Sequence, residues 1–475
     1  MKGRGSALLI VLFLLVALAV FWNRAAVQGR AVNTNMDSTD QSAYMKQAID
    51  QRLTDFAYVN PRNRMPLYPG LLALFMDKGE LTALRETHPE NREFFRRACA
   101  GFFETGKKIN TVLAVGLLVF LAVVFLRKFP PHHALNIWTL AAFGVIVFKA
   151  PWVQAELLYY FLTFSAFLVC WRLFGRPDFL LAILGGALLG LGHLTKASVL
   201  PGVLVFVVFY PLDALWRGFR RTGRGDTANP VGGAPECPRP WGGVLRRVAV
   251  AGLVAAAYLA VIGPYILQSK RMFGSYFYNV NSTFYMWCDS WKEAKASTGG
   301  EDRKGFPDHI PRDQLPSLSK YLKTHTAGQI VMRPIKGISV VFNSMMRAYG
   351  YLGPCLAYLG FAVVVAAWKW RLVRRLISRR PVPLLALLAY FCGYYLLFAW
   401  YSPIINGNRF VLGLFLPFLF SVSVVIVRLA PRVRWAWRGR RLPLLTAFNV
   451  MMSAWIAWEV AWICFDRIAR VYGGG

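Results

Sequence analysis

Long apolar runs, separated by short polar connectors, dominate the chain. Runs of about 18 residues or more match the thickness of a hydrocarbon core, and helices satisfy their own backbone there. The pattern predicts about eleven such helices, near residues 6–22, 109–126, 134–150, 152–171, 179–196, 198–215, 248–268, 349–368, 382–400, 409–427 and 443–464. The expected class is an all-α integral membrane protein, one polytopic domain over residues 1–475. The first run follows a basic start, MKGRG, and reads as a retained signal-anchor helix, with a cleavable signal peptide as the alternative.

Composition agrees with this reading: 56% of the 475 residues are hydrophobic and 15% aromatic. The formal net charge of +32 invites a nucleic-acid reading, but its distribution argues against that. Arginines cluster at 127–128, 172–176, 217–247, 369–380 and 428–441, in the connectors between apolar runs. Together with the N-terminus these pieces hold roughly 25 of the 55 Lys and Arg and about 4 of the 23 acidic residues, the bias that keeps such connectors cytoplasmic. The expected partners are therefore membrane lipids, not nucleic acid. The N-terminus is expected in the cytoplasm, and a bacterial inner membrane is the expected location.

On that topology two long connectors, 23–108 and 269–348, face outward, and a basic loop, 216–247, faces inward with a Gly- and Pro-rich insert at 222–242. In the first outer loop Ser38 and Gln41 fit a capping box, with a helix over 39–53. Phe94, Phe95, Ala98, Phe102 and Phe103 repeat at helical spacing and predict an amphipathic helix on the membrane surface. "LPSLSKYLKTHTAGQIVMRPIKGISVVF" predicts the same device in the second loop. The seven cysteines lack metal-site spacing; Cys99 and Cys288 fall in the two outer loops, where a pairing stays open.

Several chemistry-bearing residues fall on the outer side. Asp40 and Tyr44 lie four apart on one helix face. Arg64, Pro66 and Tyr68 follow in "RNRMPLYPG"; Glu156 opens the fourth span, with Lys149 as an interfacial anchor just before it. Lys196 ends the fifth span in "GLGHLTKAS", and Arg409 stands in "NGNRF". This ordered set resembles the GT-C superfamily of membrane glycosyltransferases, in the family 39-like branch of protein O-mannosyltransferases and aminoarabinose (ArnT-like) transferases. In that branch the first outer loop carries an Asp with a Tyr four positions on, then a basic-Pro-x-Tyr segment, and a middle helix ends in L-T-K. Asp40, Tyr44, Arg64, Pro66, Tyr68 and Lys196 match, and the likeness covers roughly the first 200 residues. The D-S-T-D stretch departs from the acidic pairs that hold a metal in oligosaccharyltransferases.

The resemblance implies transfer of a sugar from a polyprenyl-phosphate-linked donor to an acceptor hydroxyl on a lipid, glycan or protein. The residue types suit it. A carboxylate serves as general base, and fixed cations stabilise a leaving phosphate. The expected roles are Asp40 as base with Glu156 in support, Arg64, Lys196 and Arg409 on the donor phosphate, and Tyr44, Tyr68, Trp287 and Trp291 on substrate. No cofactor is required; a divalent metal is possible without a ligand set to support it. Blander readings stand beside these. Asp40 is then a helix-start carboxylate, Lys196 a snorkelling side chain, Trp287 and Trp291 headgroup aromatics, and His193 a packed residue. A transporter or flippase, or a non-catalytic subunit of an envelope glycan system, are the rival functions.

Overall fold

The computed structural model describes residues 2–57, 64–77, 79, 82, 96–222, 240–298, 306–307, 309–346, 350–405, 407, 411–437 and 440–470. Its helices, in chain order, are α1 (Lys2–Ala31), α2 (Gln41–Leu53), α3 (Leu67–Ala73), α4 (Ala100–Lys128), α5 (Pro131–Gly144) and α6 (Glu156–Gly175). Next come α7 (Phe179–Thr195), α8 (Leu200–Thr222), α9 (Pro240–Phe273), α10 (Val280–Thr283), α11 (Trp291–Ala296), α12 (Leu318–Thr324) and α13 (Ala327–Met346). The last are α14 (Leu352–Trp368), α15 (Trp370–Arg379), α16 (Pro381–Tyr401), α17 (Phe415–Leu429) and α18 (Leu444–Phe465). One departure from an all-helical chain is a hairpin of β1 (Arg434–Trp437) and β2 (Arg440–Pro443), antiparallel with Arg434 opposite Pro443.

A helix stands at each of the eleven expected runs. Among the described residues eight are long and apolar enough to cross a bilayer, and α14 with α15 makes a ninth if that bent pair is one span. Helices α7 and α17 are shorter, at 17 and 15 residues. The chain is an integral membrane protein. α15 turns 93° from α14 and carries Arg371, Arg374, Arg375 and Arg379 with no buried residue, as a basic amphipathic helix does when it lies along a headgroup layer.

Packing is tight where side chains are small. Gly186 and Gly190 of α7 face Val254, Ala257 and Val261 of α9, and a Cβ at Gly186 would overlap the Val254 carbonyl. Small residues four apart let two membrane helices approach backbone to backbone. An aromatic core of Phe125, Phe129, Phe164 and Phe420 joins α4, α6 and α17. The basic connectors meet at one end of the bundle: Arg217 donates to the Phe174 carbonyl and Arg220 to that of Ser378. Arg217 and Arg247 also flank the buried Asp213, at 2.8 and 3.4 Å.

Three local expectations are corrected, and the Cys99–Cys288 pairing that stood open is answered. The capping box does not form: Asp40, not Ser38, is the residue before α2, and Gln41 spends its amide on Asn33, 2.8 and 2.7 Å away. Phe94 and Phe95 lie outside the described residues, and Phe102 and Phe103 are buried against Met45 and Tyr68, not spread on a membrane surface. Cys99 and Cys288 are free thiols, each buried in a different apolar cluster, so they do not pair. Lys149 is 1% exposed, too deep for an anchor that reaches headgroups. Residues 223–239 of the basic insert lie outside the described residues.

Candidate functional site

The first loop is fastened to the 149–155 segment by buried amides. Asn33 Nδ2 donates to the Pro151 carbonyl (2.8 Å), and Val153 N donates to Gln41 Oε1 (2.9 Å). Asn110 Nδ2 donates to the Trp152 carbonyl and, at 3.1 Å, to that of Gln154. Gln47 and Gln51 of α2 hold the carbonyls of Arg64 and Pro66, at 3.1 and 3.2 Å. A buried backbone needs these partners, because leaving one unmade costs about 1–3 kcal/mol.

On this frame Thr39 takes φ 62°, the left-handed region that a β-branched side chain avoids. Gln154 Nε2 reaches its hydroxyl at 2.6 Å. The turn delivers Asp40 to Arg64, whose Nη2 lies 2.6 Å from Asp40 Oδ1. The side chains of Arg64 and Asp40 are 13% and 28% exposed, so the pair is reachable from outside. Arg64 stands 5.7 Å from the Tyr44 ring, and Tyr44 meets Tyr68 edge-on at 5.3 Å.

Tyr68 is fully buried beside Tyr44 and Glu156. Burial, then those two neighbours, pushes its phenol well above the usual tyrosine range, so it stays protonated and a donor. Glu156 heads α6, and its Oε1 lies 2.8 Å from Lys196 Nζ at the end of α7; the side chains are 3% and 20% exposed. Lys196 also faces the Tyr159 ring at 5.9 Å, and the Ser198 hydroxyl donates to the Tyr159 hydroxyl at 3.1 Å. Two carboxylate–cation pairs thus stand in this region: Asp40–Arg64, with Tyr44 and Tyr68 packed beside it, and Glu156–Lys196, whose carboxylate charge reaches the Tyr68 phenol.

Below Lys196 an apolar groove descends between α6, α7, α8 and α16, lined by Thr163, Phe167, Val199, Gly202, Tyr390 and Tyr394 among others. It encloses about 60 Å³, a slender space. Tyr394 closes its upper end by donating to the Val199 carbonyl at 3.2 Å. This bond also puts the C-terminal half of α16 beside the start of α8, next to Lys196.

Comparison with known proteins adds an overall likeness. No family model matches the chain, and no curated protein matches it. Among solved structures the chain is similar to the archaeal oligosaccharyltransferase AglB from Archaeoglobus fulgidus in complex with an inhibitory peptide and a dolichol-phosphate. That match has 12% identity and a TM-score of 0.48, over 97% of this chain and 56% of that one. It is also similar to the Archaeoglobus fulgidus oligosaccharyltransferase tethered with an acceptor peptide, at 13% identity and a TM-score of 0.42, with the same coverage. The chain therefore spans just over half the length of those proteins.

Of the sequence-derived candidates, Asp40, Tyr44, Arg64, Tyr68, Glu156 and Lys196 come together. Arg409 lies outside the described residues. Trp287 and Trp291 belong to a separate cluster in the second loop, and they do not share a helix face. The chain between them is extended at Cys288 (ψ 152°) and Ser290 (ψ 157°). Trp287 packs near Trp400 and Tyr321, and Trp291 meets Tyr285 edge-on. His193 is a packed residue, bonded to the Tyr258 hydroxyl at 2.8 Å. Sequence reasoning missed Thr39, Gln154 and Asn110; Gln154 and Asn110 signal themselves as polar side chains beside apolar runs, whereas Thr39 is hidden in a polar stretch. Among the described residues no three His, Cys, Asp or Glu side chains gather as a metal site.

Proposed function

We propose that this protein transfers a sugar from a polyprenyl-phosphate carrier to an acceptor hydroxyl at the outer membrane face, as the family 39-like resemblance implies. The observation that carries the reading is the presence of two salt bridges, Asp40–Arg64 and Glu156–Lys196, with an apolar groove beside the second. A carboxylate for the acceptor proton, cations for a phosphate and a channel for an isoprenoid tail are what such a transfer requires.

Each cation already holds a carboxylate, so donor binding is an exchange. The lipid phosphate competes for Arg64 and Lys196, and its arrival frees Asp40 to accept a proton. The acceptor hydroxyl then attacks the anomeric carbon while its proton passes to Asp40. The bond from that carbon to the phosphate oxygen breaks, and polyprenyl phosphate leaves against Arg64 and Lys196. General-base help of this kind contributes about 10²–10⁴-fold. Tyr68, kept protonated by its burial, adds no negative charge beside Glu156, which Lys196 holds at 2.8 Å. The groove opens between α6, α8 and α16 to admit the tail.

The test is deletion of the gene, mass spectrometry of envelope lipids and glycans, and complementation. Wild type should restore a lost sugar modification and Asp40→Asn should not. Restoration by Asp40→Asn would remove Asp40 from the chemistry; an unchanged glycan profile on deletion would remove the transferase reading altogether.

A further inference from the structure

The second loop builds a site that the transfer chemistry above does not use. Asn279, Ser290 and Ser317 each cap a short helix through a side-chain oxygen, which fixes α10, α11 and α12 as a rigid shell. Gly337 lets α13 cross α16 so closely that a Cβ there would overlap the Ala399 carbonyl.

Arg333, 5% exposed, ties the shell together. Its Nε donates to the Trp400 carbonyl at 2.9 Å, its Nη2 to the carbonyls of Cys288 and Met286 at 2.8 and 3.2 Å, and its Nη1 to Asp289 Oδ1 at 3.1 Å. The guanidinium also faces the Trp400 and Tyr321 rings, at 4.6 and 5.1 Å. His325 takes the other carboxylate oxygen, with Nε2 2.7 Å from Asp289 Oδ2 and Nδ1 2.9 Å from the Tyr321 carbonyl. Two acceptors face the two ring nitrogens, an arrangement the protonated ring satisfies in full, and the Thr324 hydroxyl also lies 3.0 Å from Nδ1.

Asp289 is therefore fixed between Arg333 and His325, yet its side chain is 54% exposed. It faces a cavity of about 690 Å³, lined also by Tyr321, Gln329, Arg333, Lys336 and Ser402. Ligand sites fall in the range of about 300–1,000 Å³. Gln329 Oε1 is taken by Thr326 N at 2.8 Å, which leaves its amide N–H groups for a ligand. Lys336 is exposed and forms no ion pair among the described residues. Arg333 and Lys336 against the one carboxylate leave the cavity positive, and protonated His325 adds to it, which favours an anion. The exposed carboxylate and the amide suit the hydroxyls of a sugar ring.

We infer that this second-loop cavity binds an acidic saccharide, with sugar hydroxyls on Asp289 and Gln329 and the ligand carboxylate on Lys336. It rests on the transferase reading only in making that sugar the acceptor; the binding stands without it.

The test uses the full-length protein in lipid nanodiscs, titrated with D-glucuronic acid and D-glucose, with inorganic phosphate added as a competitor, and followed by saturation-transfer NMR of the sugar protons. D-glucuronic acid should bind about tenfold tighter than D-glucose. Lys336→Gln should abolish that preference with the melting temperature unchanged. Equal binding of D-glucose, loss of the D-glucuronic acid signal to an equal concentration of phosphate, no binding of D-glucuronic acid at millimolar concentration, or an unchanged preference in Lys336→Gln would each overturn the inference. Because the readout is binding, failure of the transferase reading in the deletion experiment leaves this result standing, and the reverse also holds.

Discussion

Gln154 Nε2 donates to the Thr39 hydroxyl at 2.6 Å, and Thr39 sits at φ 62° one residue before Asp40. A β-branched residue in that region stores about 1–3 kcal/mol. Strain kept directly beside a carboxylate is strain that orients it.

The first prediction compares two substitutions that both remove the Thr39 hydroxyl. Thr39→Gly relieves the left-handed backbone, whereas Thr39→Val keeps the penalty. In thermal unfolding Thr39→Gly should be the more stable by about 1 kcal/mol. Equal stability would show that the turn at Asp40 is not left-handed.

The second concerns the Glu156–Lys196 pair. Glu156 is 3% exposed, so Lys196→Met strands a buried carboxylate and should cost about 3 kcal/mol. Adding Glu156→Gln to Lys196→Met should return much of that loss, since a neutral amide needs no counter-charge. Denaturation of the single and double variants in detergent checks the order. A double variant less stable than Lys196→Met alone would contradict a direct pairing.

The third is a pH dependence. Partial burial pulls the His325 imidazole down, but its hydrogen bond to Asp289, the Tyr321 carbonyl and the Asp289 charge outweigh burial and the opposing Arg333 charge, and the group lies above the usual histidine range. A histidine raised on folding contributes stability fully present below its unfolded value, near 6.5 in model peptides, and lost as pH rises through the folded value. Hydrogen exchange over residues 318–326, corrected for its intrinsic rate, should therefore speed up as the solution turns alkaline. His325→Gln should show no such step.

Much of this architecture was legible in the chain, and the reason is local. A run of apolar residues at bilayer length has one way to satisfy its backbone, so helices stand where the pattern puts them. Asp40, Tyr44, Arg64 and Tyr68 were legible because one short loop carries them all. The contacts that aim them were not. Gln41 looks like half of a capping box, yet its partners are Asn33 and Val153, and Val153 is 112 positions away. Asp289, His325 and Arg333 are separated by 36 and 44 positions from the shared carboxylate and form no local motif. The sharp turn at α15 also escaped notice, because basic residues read as a connector even when they form an amphipathic helix.

The central claim is that Arg64 is shared between Asp40 and the donor phosphate. The most direct measurement is binding of a polyprenyl phosphate to the purified protein in nanodiscs, set beside sugar transfer by the same samples. Asp40→Asn should hold the lipid phosphate as tightly as wild type or more tightly, since Arg64 is released, while transferring sugar at least about a hundredfold more slowly. An Asp40→Asn protein that transfers at the wild-type rate, or that loses lipid-phosphate binding, would contradict it.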